Sequence, residues 1–151
     1  MSDSLPRISV DTNVVSAIVR ENEYGASSLQ LLDGFTPALT YFVRGELAAA
    51  RWNRPRQTRL DALLAEYRYL PDPNERTIEA FVRATAAATS LGFGAAIGTD
   101  LWILAQTNAL GLPLMSHDSN AIRTAERAGI AYFTLNRRAL AQIEQDRAAL
   151  T

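Results

Sequence analysis

Short β-prone runs at 8–10, 37–41, 67–70, 112–115 and 131–135 alternate with longer segments of helical period. This alternation constrains the fold more than any other feature. Strands joined by crossovers long enough to hold a helix lie parallel, so the chain is expected to be α/β, with a short central parallel sheet flanked by helices. Val14, Val15, Ala17, Ile18 and Val19 form the apolar part of a first helix, and Ser27 or Ser28 can open a second through Leu29, Leu31, Leu32 and Phe35. A third helix is predicted over 42–50, broken by Arg54-Pro55-Arg56, with another carried by Leu60, Leu63, Leu64 and Tyr67. Asn74 can cap a long amphipathic helix that closes at Gly92, and Thr99 a helix over 100–110 that stops at Gly111. Further helices are expected over 120–128 and in the tail around Leu140, Ile143 and Leu150.

A length of 151 residues suits a single domain, 1–151, and 48% hydrophobic with 21% charged residues is ordinary for a globular chain. Without cysteine there is no disulfide framework and no thiolate metal site. The amino terminus lacks a signal-like apolar run and no stretch is long enough to span a membrane, so a soluble, cytoplasmic protein is expected. The net charge of −1 speaks against nucleic-acid binding through a broad cationic surface, so a polyanion would have to be gripped locally. All fifteen basic residues are arginine, which removes any Walker-type phosphate loop.

Ligands of open parallel sheets gather beyond the carboxyl ends of the strands, and Asp11 and Asp118 each follow a strand. Asp100 begins a helix and Glu46 lies in the first turns of another, so both can face the same rim. Four carboxylates in one cleft raise one another's pKa unless a cation neutralises them, and Mg²⁺ or Mn²⁺ is the ordinary counterion for oxygen ligands. Each acid also has a plainer explanation: Asp11 and Asp118 as helix caps, Glu46 and Asp100 as complements to a helix dipole.

The wording around all four decides between these readings. Val10-Asp11-Thr12-Asn13, Arg44-Gly45-Glu46-Leu47, Thr99-Asp100-Leu101-Trp102-Ile103-Leu104-Ala105 and Leu114-Met115-Ser116-His117-Asp118 together resemble the PIN-domain nucleases, in particular the VapC-like toxins of bacterial toxin–antitoxin pairs. The resemblance spans nearly the whole chain in motif order and element order. It implies a PIN-like three-layer sandwich and an endoribonuclease that hydrolyses RNA phosphodiesters with one or two Mg²⁺ or Mn²⁺ ions on Asp11, Glu46, Asp100 and Asp118. Thr12 and Ser116 would support these ligands with hydroxyl groups. Such ions would polarise the phosphoryl oxygens and activate a water, so no protein nucleophile is needed. A cognate antitoxin and a homodimer are the implied partners. Trp102 departs from the pattern, standing where a small residue is expected.

Other residues are weighed individually. His117 is the single histidine and adjoins Asp118, but metal-activated water leaves little need for a histidine base. Arg51 and Arg54, with Arg56 and Arg59, can clamp RNA phosphates while Trp52 stacks on a base, or simply form a solvated face. Gly92, Gly94 and Gly98 follow a helix rather than a first strand, so they suit a flexible connection beside Asp100 better than a dinucleotide loop. The apolar surface of the first two helices serves the core, a homodimer face, or a groove for a partner's helix. Two rivals remain: a phosphoryl-accepting Asp11, a poor fit because the chain has no lysine and carries Asn13 where many phosphatases have a second aspartate, and a non-catalytic PIN-like scaffold binding RNA or protein.

Overall fold

In the computed structural model, the structure describes residues 5–93 and 97–150. Its elements, in chain order, are β1 (Arg7–Val10), α1 (Thr12–Arg20), α2 (Gly25–Leu32), β2 (Thr36–Leu39), α3 (Tyr41–Ala49), α4 (Arg54–Leu64), β3 (Arg68–Tyr69), α5 (Glu75–Ser90), α6 (Gly98–Ala109), β4 (Leu114–Met115), α7 (Ser119–Ala128), β5 (Tyr132–Phe133) and α8 (Arg137–Ala148). The five strands form one sheet in the order β3-β2-β1-β4-β5, and every pairing is parallel. The expected α/β sandwich with a short parallel sheet is therefore present. Gly94 lies outside the described residues.

Parallel sheets covered on both faces bury consecutive residues instead of alternating them. Ile8, Ser9 and Val10 are accordingly all fully buried, as are Leu114 and Met115. Two groups of helices cover the sheet: α1 packs on α2, α3 and α4, while α7 packs on α5, α6 and α8. The helix–helix approach at the start of α2 is close enough to require glycine, since a Cβ on Gly25 would lie 2.7 Å from the Ala17 carbonyl oxygen.

Three helix starts differ from expectation. Pro55 lies in the first turn of α4, where its missing N–H costs nothing, and Asn53 caps that helix, so Arg54-Pro55-Arg56 opens a helix as well as ending one. Helix α2 begins at Gly25, ahead of Ser27 and Ser28. Thr99 lies inside α6 and does not cap it; the cap position is Ile97, which offers no side-chain acceptor. Asn74 does cap α5, exchanging hydrogen bonds with Thr77 in a capping box.

The strand order determines where a site can form. From β1 the chain moves outward through β2 and β3, then crosses back to place β4 and β5 on the other side of β1. The order reverses between β1 and β4, and the crevice of such a sheet opens beyond the carboxyl ends of those two strands. Asp11 follows β1 directly, and Ser116, His117 and Asp118 follow β4. Helices that return toward a parallel strand start at that same rim, which brings the amino-terminal turns of α3 and α6 to it.

Candidate active site

Asp11 caps α1 with an extended backbone, and its Oδ1 accepts from the Thr12 amide at 2.8 Å. Its other oxygen, Oδ2, takes the Ser116 hydroxyl at 2.7 Å and the Asn13 side-chain amide at 3.1 Å. The same Asn13 amide donates to Ser116 Oγ at 3.2 Å, while Asn13 Oδ1 accepts the His117 backbone N–H at 2.9 Å. Ser116 Oγ accepts in addition from the Asp118 amide at 3.1 Å. Asp118 caps α7 through a 2.8 Å bond from Ala121 N–H to Oδ2. The β1 and β4 ends of the rim are thus sewn together through Asn13 and Ser116.

Glu46, the sixth residue of α3, accepts the Thr12 hydroxyl at 2.6 Å. Asp100 sits in the first turn of α6. That helix is pinned to the sheet where Thr107 Oγ1 donates to the buried Ser9 hydroxyl at 2.8 Å. Residues seven apart lie on one helix face, so the pin aims Asp100, ~10 Å nearer the amino end of α6, toward the carboxyl end of β1. Gln106 fixes the neighbouring helix, its buried side chain accepting from the Tyr41 amide at 3.1 Å and donating to the Pro71 carbonyl at 2.5 Å.

The four carboxylates sense one another. Asp100 is pushed up to about 7, first by burial and then by the charges of Asp11, Asp118 and Glu46. Asp11 is pushed up to about 6: burial dominates, the Ser116 and Thr12 hydrogen bonds oppose it, and Glu46 and Asp118 add to the rise. Among the described residues, arginine pairs with Glu21, Asp146 and Glu126, and none pairs with the four. Nor do three of the described acidic or histidine side chains surround a common point closely enough to hold an ion as they stand. The donor set nevertheless fits a hard divalent cation: oxygen ligands, steadied by hydroxyls and an amide, in a field whose repulsion a positive charge would relieve.

Of the hydroxyls expected to support the acids, Thr12 holds Glu46 and Ser116 holds Asp11. Asn13 is the residue whose part sequence reasoning missed, although its position two after Asp11 was a usable signal. His117 is engaged structurally. Leu135 N–H donates to its Nδ1 at 3.2 Å, which puts the ring proton on Nε2, facing the Ser28 hydroxyl at 2.8 Å. Burial lowers its pKa, and Tyr24 packs on the ring at 4.9 Å. Trp102 lies two residues from Asp100 and so on another side of α6, stacked on Phe81 at 3.8 Å and on Phe42 at 5.6 Å. Arg51 and Arg54 are exposed at the α3–α4 junction. Trp52 beside them is half-buried, donates to the Leu47 carbonyl at 3.3 Å and is covered by Arg20, an arrangement that occupies the ring expected to stack on a base.

The wider comparisons agree on the architecture. A chain of VapBC2 from Rickettsia felis, in a structure bound to a DNA fragment from their promoter, superposes with a TM-score of 0.64 at 18% identity, covering 85% of this chain and 98% of that one. VapBC-1 from nontypeable Haemophilus influenzae gives 0.63 at 16%, covering 85% and 97%. FitAcB from Neisseria gonorrhoeae gives 0.63 at 21%, covering 83% and 96%. At such identities the likeness is one of fold. No curated protein matches by sequence. The PIN domain profile, however, matches residues 8–144, from the first strand into the last helix. On that match, the chain belongs to the PIN-domain family.

Proposed function

We propose that this protein is a Mg²⁺- or Mn²⁺-dependent endoribonuclease and the toxin of a type II toxin–antitoxin pair. The observation that carries the nuclease is the cleft at the β1–β4 reversal, where burial and mutual repulsion lift Asp11 to about 6 and Asp100 to about 7 and, among the described residues, no arginine pairs with them. Asp11, Glu46, Asp100 and Asp118 would hold one or two ions, which when bound supply Lewis-acid activation of a phosphodiester and of water. The chain's own residues prepare the site. Ser116 and Asn13 occupy Asp11 Oδ2, leaving Oδ1, with only the Thr12 amide upon it, as the oxygen turned to a ligand. Thr12 orients Glu46 through its hydroxyl. Arg51 and Arg54 remain available to hold a more distant part of the RNA.

The partner proposal rests on a second surface. Ile18, Val19, Ala26, Leu29 and Leu63 line an apolar groove of about 490 Å³ between α1, α2 and α4, with the Arg59–Glu21 ion pair at its rim. Leu29 is 45% exposed there. The fold neighbours come from VapBC and FitAcB structures, and an apolar antitoxin helix is the occupant this groove suits. Ile78 and Val82, exposed on α5, offer a face for a homodimer. No described helix is long and apolar enough to cross a membrane, and a cytoplasmic location completes the proposal.

Purified, partner-free protein should cut RNA with Mg²⁺ or Mn²⁺, stop with chelator and lose activity in Asp100→Asn without unfolding. Failure to cut with either ion would favour a scaffold that binds RNA or protein without chemistry. Expression should arrest growth, and co-expression of an adjacent small gene should restore it; a harmless gene would remove the toxin role alone.

A further inference from the structure

On the other side of the α1–α2 corner from the apolar groove lies a polar pocket of about 620 Å³, formed by Glu23, Tyr24, Leu135, Asn136, Arg137 and Arg138. Two hydrogen bonds lock its floor to the residue that precedes Asp118. Leu135 N–H donates to His117 Nδ1 at 3.2 Å, and Asn136 Nδ2 donates to the His117 carbonyl at 2.8 Å. Strand β5, which leads into this segment, is the immediate neighbour of β4, so the segment that floors the pocket leaves the sheet one strand spacing, ~5 Å, from the one that carries Asp118. Arg137 and Arg138 are exposed, and among the described residues neither is joined to a carboxylate. Tyr24 is half-buried, with its ring braced by His117 at a 43° tilt.

These groups match the parts of one nucleotide. Guanidinium forks suit a phosphate, a braced aromatic ring suits a base, and a carboxylate accepts from the exocyclic amine of adenine or cytosine but repels the carbonyl edge of uracil. The overall charge of −1 makes such a local grip necessary for any polyanion.

We infer that the pocket between Tyr24 and the Arg137–Arg138 pair binds the nucleotide next to the scissile phosphate of single-stranded RNA, with Glu23 selecting a base that carries an exocyclic amine. The inference deepens the nuclease proposal and rests on it. The arginines hold the neighbouring phosphate while the cleft holds the one to be cut.

The full-length Asp100→Asn protein, expected to bind without cutting, is titrated with fluorescent eight-residue oligo-A, oligo-C and oligo-U in Mn²⁺ at several salt concentrations. Wild-type cleavage of the same oligonucleotides is measured in parallel. Adding Arg137→Ala and Arg138→Ala should weaken binding ~10- to 100-fold and flatten the logarithmic salt slope by roughly 0.7 for each phosphate no longer gripped. The control pair Arg7→Ala and Arg83→Ala, equal in charge change and remote from the pocket, should weaken it less than about threefold, since it removes only long-range attraction. Glu23→Gln should erase the preference for oligo-A and oligo-C over oligo-U. Equal losses in both arginine pairs, or none in the first, would overturn the pocket while wild-type cleavage keeps the nuclease intact. Absence of both cleavage and binding would remove the nuclease, and the pocket's role with it.

Discussion

Asp100 and Asp146 are both aspartates near the protein surface, and the fold drives their acidities in opposite directions. Asp146 on α8 receives a two-pronged hydrogen bond from Arg123 on α7, at 2.8 and 2.9 Å, and the guanidinium holds its carboxyl below the usual range. Asp100 faces three more carboxylates and is raised to about 7. With fifteen arginines against sixteen acids the chain has almost as many cations as carboxylates, yet among the described residues the ion pairs involve Glu21, Asp146 and Glu126 and not the four acids of the cleft. The outer pair fastens α7 to α8, whereas the cleft keeps a repulsion that an external cation can discharge.

The sharpest way to break this contrast is to remove one charge from each side. Asp100→Asn should lower RNA cleavage by at least ~10³-fold, since even supporting residues around metal ligands cost 10- to 100-fold. Its metal-free melting temperature should stay level or rise, because repulsion is relieved. A fall in both would mean that Asp100 serves structure instead. Next in size is the response to metal. At 100 times its dissociation constant, Mn²⁺ should add about 2.7 kcal/mol to unfolding at pH 7.5, seen as a shifted denaturant midpoint and absent from the Asp100→Asn protein.

Titration gives a third measure. Asp11 and Asp100 have folded-state values of about 6 and about 7 against an ordinary 3.8. The folded state therefore prefers their protons, and their stabilising contribution is complete below about pH 4 and lost as pH rises through 6 to 7. Metal-free protein should lose on the order of 2 kcal/mol between pH 5 and 8 from these groups, about half of what the full shifts would give because solvent screens the partly exposed Asp100, in urea titrations at each pH. A curve that climbs over this interval, with Mn²⁺ absent, would contradict the uncompensated cleft. The smallest effect belongs to the outer pair: Asp146→Ala should cost about 1 kcal/mol, weaken with added salt and leave cleavage unchanged.

The alternation of strand and helix, and the position of Asp11 and Asp118 at strand ends, were legible because they depend on local pattern. Caps at Asn74 and Asp118 follow from side chains that bond amides two or three residues on. The misplaced starts have separate causes. Pro55 and Gly25 have several permissible uses: close packing on α1 leaves no room for a Cβ at Gly25, and Asn53 supplies the cap that lets Pro55 open α4. Thr99 looked like a cap, yet Ile97 takes that position without one. What sequence could not provide was the set of ties across the cleft. Asn13 to Ser116 and Ser28 to His117 join residues far apart in the chain, and no local pattern announces such a bond. Arg51 and Arg54 stood out as a cluster along the chain, whereas Arg137 and Arg138 gained meaning only when β5 was seated beside β4.

The ties between the two halves of the cleft have a temporal consequence. Ser116 to Asp11 spans 105 positions, and His117 to Asn13 spans 104. During synthesis on the ribosome, the first carboxylate emerges long before its stitches exist, and β1 stays open on one side until β4 slots in against it. The rim as described is therefore assembled only after translation has passed Asp118, and a product that stops short of it carries Asp11, Glu46 and Asp100 without the strand and the ties that join them.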